Sequence, residues 1–259
     1  MTTDVELLSE KARRQAAQVE AGLAPPPANH GSPGVIEWVQ LTPAISPEKL
    51  RDVCEEAKSM GYGALCLPSP WVRKAADLLS GTEARLTVPI GFPLGTAPQE
   101  AVMLEARAAL AEGAGGINAV FPVHRLRSPQ KTCLRQEMEN LREATRGARL
   151  SFYLETAVMN DEEIVSAVRL AEIARADGVI GGTGCFGFPS VREVALLKCA
   201  APDWMEVGVA IDTAVKSRDR AALFLAAGAG RLLSENPGPF FGQHRPPGGP
   251  GCLDTEESI

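Results

Sequence analysis

Gly181-Gly182-Thr183-Gly184 follows a short apolar run, and a turn of that composition lets backbone N–H groups converge on an anion. The side chain ahead of the turn is Ile180, which does no covalent chemistry. Groups able to move protons are present instead. Glu37, Glu155 and Asp212 stand in or just after apolar runs, and His124 is the one histidine of three outside the Pro/Gly-rich flanks. An imidazole titrates near neutral pH, so His124 is a candidate general base, while the three carboxyl groups are candidate acid/base residues. Each has an ordinary alternative. His124 next to Arg125 and Arg127 fits a solvated loop, Glu155 a structural hydrogen bond, Glu37 hydrogen bonding inside a mouth, and Asp212 a cap for the helix beginning near Ser217. Cys66 fits a packed thiol as well as a binding residue.

The elements that must position these residues alternate regularly. Strands are predicted at 35–40, 64–67, 86–90, 116–121, 150–155, 178–180, 206–211 and 231–233. Helix starts are signalled between them by Ser46-Pro47, Ser69-Pro70, Thr96 with Gln99, Ser128-Pro129, Asn160 with Glu163, Ser190 with Glu193, and Ser217. Gly61, Gly113 and Gly228 stand where a positive φ would end a helix. Eight strand–helix units in about 200 residues predict an α/β fold, a closed (β/α)8 barrel with its chemistry at the carboxyl ends of the strands. An extra outer helix is expected over residues 5–21, stopped by Pro25-Pro26-Pro27. The expected division is a helix and linker at 1–34, the barrel at 35–240 and a flexible Pro/Gly-rich tail at 241–259.

Composition narrows the partners. The chain has 259 residues, with 26 basic and 32 acidic side chains and a net charge of −6. No block of like charge suggests a nucleic-acid surface, and no apolar run is long enough to span a bilayer. A small molecule is the expected partner and the cytoplasm the expected location, since residues 1–6 lack the basic start of a secretory signal. The six cysteines form no Cys-x-x-Cys pair and read as reduced thiols, and three scattered histidines give no support for a metal site.

Several motifs together resemble the deoxyribose-phosphate aldolase family from about Ile36 to about Pro237. They are Ile90-Gly91-Phe92-Pro93-Leu94-Gly95, Leu154-Glu155-Thr156, Asp161-Glu162-Glu163-Ile164 and Val207-Gly208-Val209. The resemblance implies a class I aldolase whose Schiff-base lysine would stand at Ile180, with a second lysine at Ala210 and a proton-shuttling aspartate at Asn118. A further lysine of the family falls at Ser151, and Glu37 takes the place of an aspartate. The family binds its substrate phosphate in turns after strands six to eight. Here the seventh turn reads Asp212-Thr213-Ala214 and the eighth Ser234-Glu235-Asn236-Pro237, so two carboxylates face the place of a dianion.

From these substitutions the expected function is an aldolase-fold enzyme without Schiff-base chemistry, a lyase, cyclase or isomerase acting on a non-phosphorylated small molecule of specialised metabolism. One alternative is an inactive pseudo-aldolase that binds a metabolite or partner; another is an aldolase using a displaced lysine, with Lys216 the nearest. The expected substrate contacts are Asn118, Cys66, Tyr153, Ile180, Gly182, Thr183, Ala210 and Glu235, with Phe186 and Phe188 among the apolar neighbours. No cofactor is expected. The resemblance also implies a homodimer.

Overall fold

The protein is represented by a computed structural model that describes residues 3–26, 32–128, 133–212 and 217–238. The flexible tail expected after 240, and Lys131 and Lys216, lie outside the described residues. Eight parallel strands close into a barrel in chain order: β1 (Ile36–Val39), β2 (Ala64–Cys66), β3 (Arg85–Ile90), β4 (Gly116–Val120), β5 (Arg149–Leu154), β6 (Gly178–Gly181), β7 (Glu206–Ala210) and β8 (Arg231–Ser234), with β8 paired back onto β1. This is the expected (β/α)8 barrel.

The crossovers carry helices α2 (Pro47–Met60), α3 (Val72–Leu78), α4 (Gln99–Ala111), α5 (Val123–Leu126), α6 (Leu134–Ala144), α7 (Asp161–Ile173), α8 (Val191–Ala200) and α9 (Ser217–Ala226). Ser46, Asn160 and Ser190 cap α2, α7 and α8 from their side chains, the last two as reciprocal capping boxes with Glu163 and Glu193. Gly61 closes α2 at φ 69°. Two expected starts shift. Helix α4 begins behind Pro98 rather than at Thr96, and the single turn α5 precedes the segment where a helix was expected from Ser128.

An additional helix, α1 (Asp4–Glu20), is capped by Thr3 and lies outside the barrel along α8, also touching α7 and α9. Its buried stripe is Ala12, Ala16 and Val19. Gln15 donates from Nε2 to the carbonyl of Ala227 at 3.0 Å, and Asp4 pairs with Arg169. Among the described residues, no helix is long and apolar enough to cross a membrane.

Strand alternation separates two interiors. Outward residues such as Phe121, Phe152, Val179 and Leu232 pack under the helices as one large core. Inward residues Val120, Tyr153, Ile180 and Leu233 form a separate small cluster, joined by Val39 and Phe92. Cross-strand register puts Val120, Tyr153, Ile180 and Gly208 in one row and Asn118, Ser151, Gly178 and Glu206 in the row two residues nearer the strands' amino ends. The barrel therefore carries an apolar layer toward the mouth and a polar layer beneath it.

Candidate functional site

Beneath the apolar layer, charged side chains pair with one another. Glu37 is fully buried; its Oε1 accepts from Thr87 Oγ1 at 2.6 Å and from Asn118 Nδ2 at 2.7 Å, and its Oε2 from Arg231 Nη1 at 2.6 Å. Arg231 also donates from Nη2 to Ser151 Oγ at 3.1 Å and faces Glu206 Oε2 through Nε at 3.0 Å, while Arg149 Nη2 reaches that same oxygen at 2.6 Å. Burial works against the Arg231 charge, but Glu37 and Glu206 outweigh it and hold its pKa above the usual arginine value. Small residues make room for these long side chains. A Cβ on Gly178 would come within 3.0 Å of the Glu206 carbonyl and 3.1 Å of Ser151 Oγ, and one on Gly208 within 3.2 Å of Ile180 Cγ1.

Tyr153 joins the two layers. Its ring meets Phe92 edge-on with centroids 6.1 Å apart, and its hydroxyl lies among Asn118 and Cys66. Burial, with Cys66 and Glu37 adding to it, raises the phenol well above its ordinary pKa; burial likewise raises Cys66, reinforced by Glu37. Both stay protonated across the physiological range.

Above the apolar layer opens a cleft of about 340 Å³ at the carboxyl ends of the strands. Val39, Phe92, Tyr153, Ala210 and Leu233 contribute to its floor and walls, with Leu41, Ile211 and Phe188 beside them; Thr183, Gly184, Cys185, Asp212, Ser234 and Glu235 supply the polar lining. Phe92 is held over the mouth by the turn from Gly91 to Gly95, both at positive φ, where a Cβ on Gly95 would press within 3.0 Å of the Phe121 carbonyl. No lysine lines the cleft among the described residues. Lys11, Lys49, Lys58, Lys74 and Lys198 all lie on outer helices.

Three amides of the glycine-rich turn after β6 are engaged within the protein. Gly182, at φ 73°, donates its N–H to the carbonyl of Leu154 at 2.7 Å; Thr183 N–H goes to Glu155 Oε1 at 2.9 Å and Cys185 N–H to Thr183 Oγ1 at 3.1 Å. A carboxylate of the protein thus occupies an amide that could otherwise serve a ligand anion. Burial raises the pKa of Glu155 above the ordinary carboxylate value, opposed by its hydrogen bonds from Thr183, and its Oε2 is buried without a protein partner.

The structure divides the residues singled out in sequence. Tyr153, Thr183, Ala210, Asp212 and Glu235 line the cleft, Ile180 lies in the layer under it, and Glu155 stands behind Thr183. Glu37, Asn118 and Cys66 are buried below instead of reaching the mouth, because Val39, Val120, Tyr153, Ile180 and Leu233 close over them. His124 is exposed on α5, and its neighbours Arg125 and Arg127 pair with Glu137 and Glu163. Sequence reading passed over Arg149, Glu206 and Arg231. Their signal was a charged residue opening a strand that is otherwise largely apolar, in phase with the inward positions.

No family model matches the chain. A deoxyribose-phosphate aldolase of Streptococcus sanguinis is 34% identical over 199 residues, covering 76% of this chain and 89% of the relative, and one of Clostridium novyi is 32% identical over 200 residues with the same coverage. Among solved structures, a candidate deoxyribose-phosphate aldolase of Coccidioides immitis superimposes with a TM-score of 0.76 at 25% identity, covering 88% of this chain and 94% of the other. The deoxyribose phosphate aldolase of Aeropyrum pernix shares the fold with a TM-score of 0.71 at 23% identity, covering 87% and 93%.

Proposed function

This chain belongs to the deoxyribose-phosphate aldolase family, and from that premise we propose that it works without the family's Schiff base, as a lyase, cyclase or isomerase acting by proton transfer on a non-phosphorylated small molecule. The observation that carries this reading is Ile180. It is wholly buried at the inward position on β6, packed with Val120, Tyr153 and Leu233, and no amine stands near it among the described residues. A carbonyl carbon brought to this floor would meet hydrocarbon and a phenol ring.

The groups left for chemistry are carboxyls. Asp212 lines the cleft at the end of β7 and suits a general base; Glu155, its pKa raised by burial, suits the donor role behind Thr183. Rejection of phosphate follows from the same residues. The turn amides of Gly182, Thr183 and Cys185 are engaged within the protein, and Asp212 and Glu235 would repel a dianion.

Binding without turnover is a second reading, supported by the burial of Asn118 and Glu37, which removes two polar groups from reach of a ligand. Borohydride reduction in the presence of deoxyribose 5-phosphate tests the shared premise. The expected mass is that of the unmodified chain, whereas an adduct mapped to any lysine, Lys216 included, would establish a displaced nucleophile. Ile180→Lys should also fail to cleave deoxyribose 5-phosphate, since neither Asn118 nor Ala210 supplies the missing proton shuttle or a second cation.

A further inference from the structure

The cleft brings two aromatic rings and two carboxylates to one mouth. Asp212 and Glu235 follow β7 and β8, adjacent strands, whereas Phe92 follows β3, across the ring from β7. Phe188 lines the cleft from the loop after β6, and the same loop presents Phe186 at 44% exposure. The loop after β5 presents Val158 at 49% exposure, and the two loops adjoin where a Cβ on Gly187 would lie 3.2 Å from Ala157. Aromatic rings thus stand after β3 and β6 and carboxylates after β7 and β8, around one largely apolar floor, with Phe186 and Val158 exposed beside the loop that carries Phe188.

We infer that the cleft takes a two-ended ligand: an aromatic or similarly apolar body lying toward Phe92 and Phe188, and an amine or hydroxyl group donating to Asp212 and Glu235. This rests on the reading of a phosphate-free site and names its substrate class. The apolar floor rewards burial of hydrocarbon in proportion to area. The carboxylates only accept hydrogen bonds, so the group facing them must donate, and an anionic group there is repelled. A body longer than the cleft leaves over Phe186, so added apolar length continues to find protein surface.

The test uses the full chain and compounds sharing one skeleton: benzylamine, benzyl alcohol, phenylacetate and benzyl phosphate, followed by 4-phenylbutylamine, with dissociation constants from calorimetric titration. Benzylamine and benzyl alcohol should bind at least about tenfold more tightly than phenylacetate and benzyl phosphate. The combined change Asp212→Asn with Glu235→Gln should shrink that gap to about twofold or less. The longer amine should bind more tightly than benzylamine, and Phe186→Ser should remove the increment. Equal or tighter binding of the anions, or no binding by any of these compounds, overturns the inference. A lysine adduct after borohydride treatment, or tighter binding of benzyl phosphate, would fell the underlying reading as well, while a protein that gives no adduct, rejects benzyl phosphate and yet favours phenylacetate over benzylamine would lose this inference alone.

Discussion

The inside of this barrel and its mouth have exchanged the properties expected of them. Below the apolar layer, Glu37, Thr87, Asn118, Ser151, Arg231, Glu206 and Arg149 form a hydrogen-bonded and ion-paired network that is buried at Glu37 and partly exposed at Arg149 and Glu206. Above it, in the cavity where the family resemblance places lysines that this sequence lacks, the lining is largely apolar, with Thr183, Cys185, Ser234 and two carboxylates as its polar groups. The difference teaches that retention of polar residues at motif positions is no guide to retained chemistry. Asn118 and Glu37 still hydrogen-bond, but to protein, and a side chain two residues further along each strand decides what a ligand meets.

The largest expected effect lies in the lower layer. Glu37→Ala should cost about 3–5 kcal/mol in chemical denaturation, because it takes from buried Arg231 the carboxylate at 2.6 Å and leaves Thr87 and Asn118 without their acceptor. A loss below about 1 kcal/mol would mean that water enters the barrel and that the two layers are not distinct. In the upper layer, Ile180→Ala should cost about 2–5 kcal/mol and leave a cavity under the cleft. Preserved stability there, or uptake of the lost volume without change in ligand affinity, would argue that the floor is not packed. Gly208→Ala should cost about 1–3 kcal/mol, since the new methyl would press on Ile180 Cγ1 at 3.2 Å and Leu233 Cδ1 at 3.3 Å.

The smallest effect concerns pH. Glu155 has a folded-state pKa raised above its unfolded value, so its contribution to stability is fully present below the ordinary carboxylate pKa of 4.5 and is lost as pH rises through the folded value. Relative to Glu155→Gln, the wild type should therefore lose stability between pH 4.5 and neutrality. Denaturation midpoints at several pH values read the slope; an opposite slope would place Glu155 as a stably ionised acceptor for the Thr183 amide.

The fold was legible because its signals are local. Ser46, Asn160 and Ser190 announce their helices, Gly61 ends one, and alternating apolar runs mark the strands. The site was legible only in part, for a corresponding reason. Asp212 and Glu235 could be placed at the mouth from strand phase alone, but whether Glu37 reached that mouth depended on Arg231, 194 residues away, and on five apolar side chains from different strands closing over it. The engagement of the Thr183 amide by Glu155 likewise joins two loops, and nothing in either segment predicts it.

The helix α1 imposes an order on synthesis. It precedes the barrel in the chain, yet the Ala227 carbonyl that Gln15 reaches lies 212 residues later, and α8, along which it packs, is the seventh of the eight crossover helices among the described residues. Until most of the barrel has been made, Ala12, Ala16 and Val19 have nothing to cover them. Docking of α1 is thus a long-range closure that follows formation of most of the barrel, and it fastens the segment before the barrel to the barrel's last crossovers.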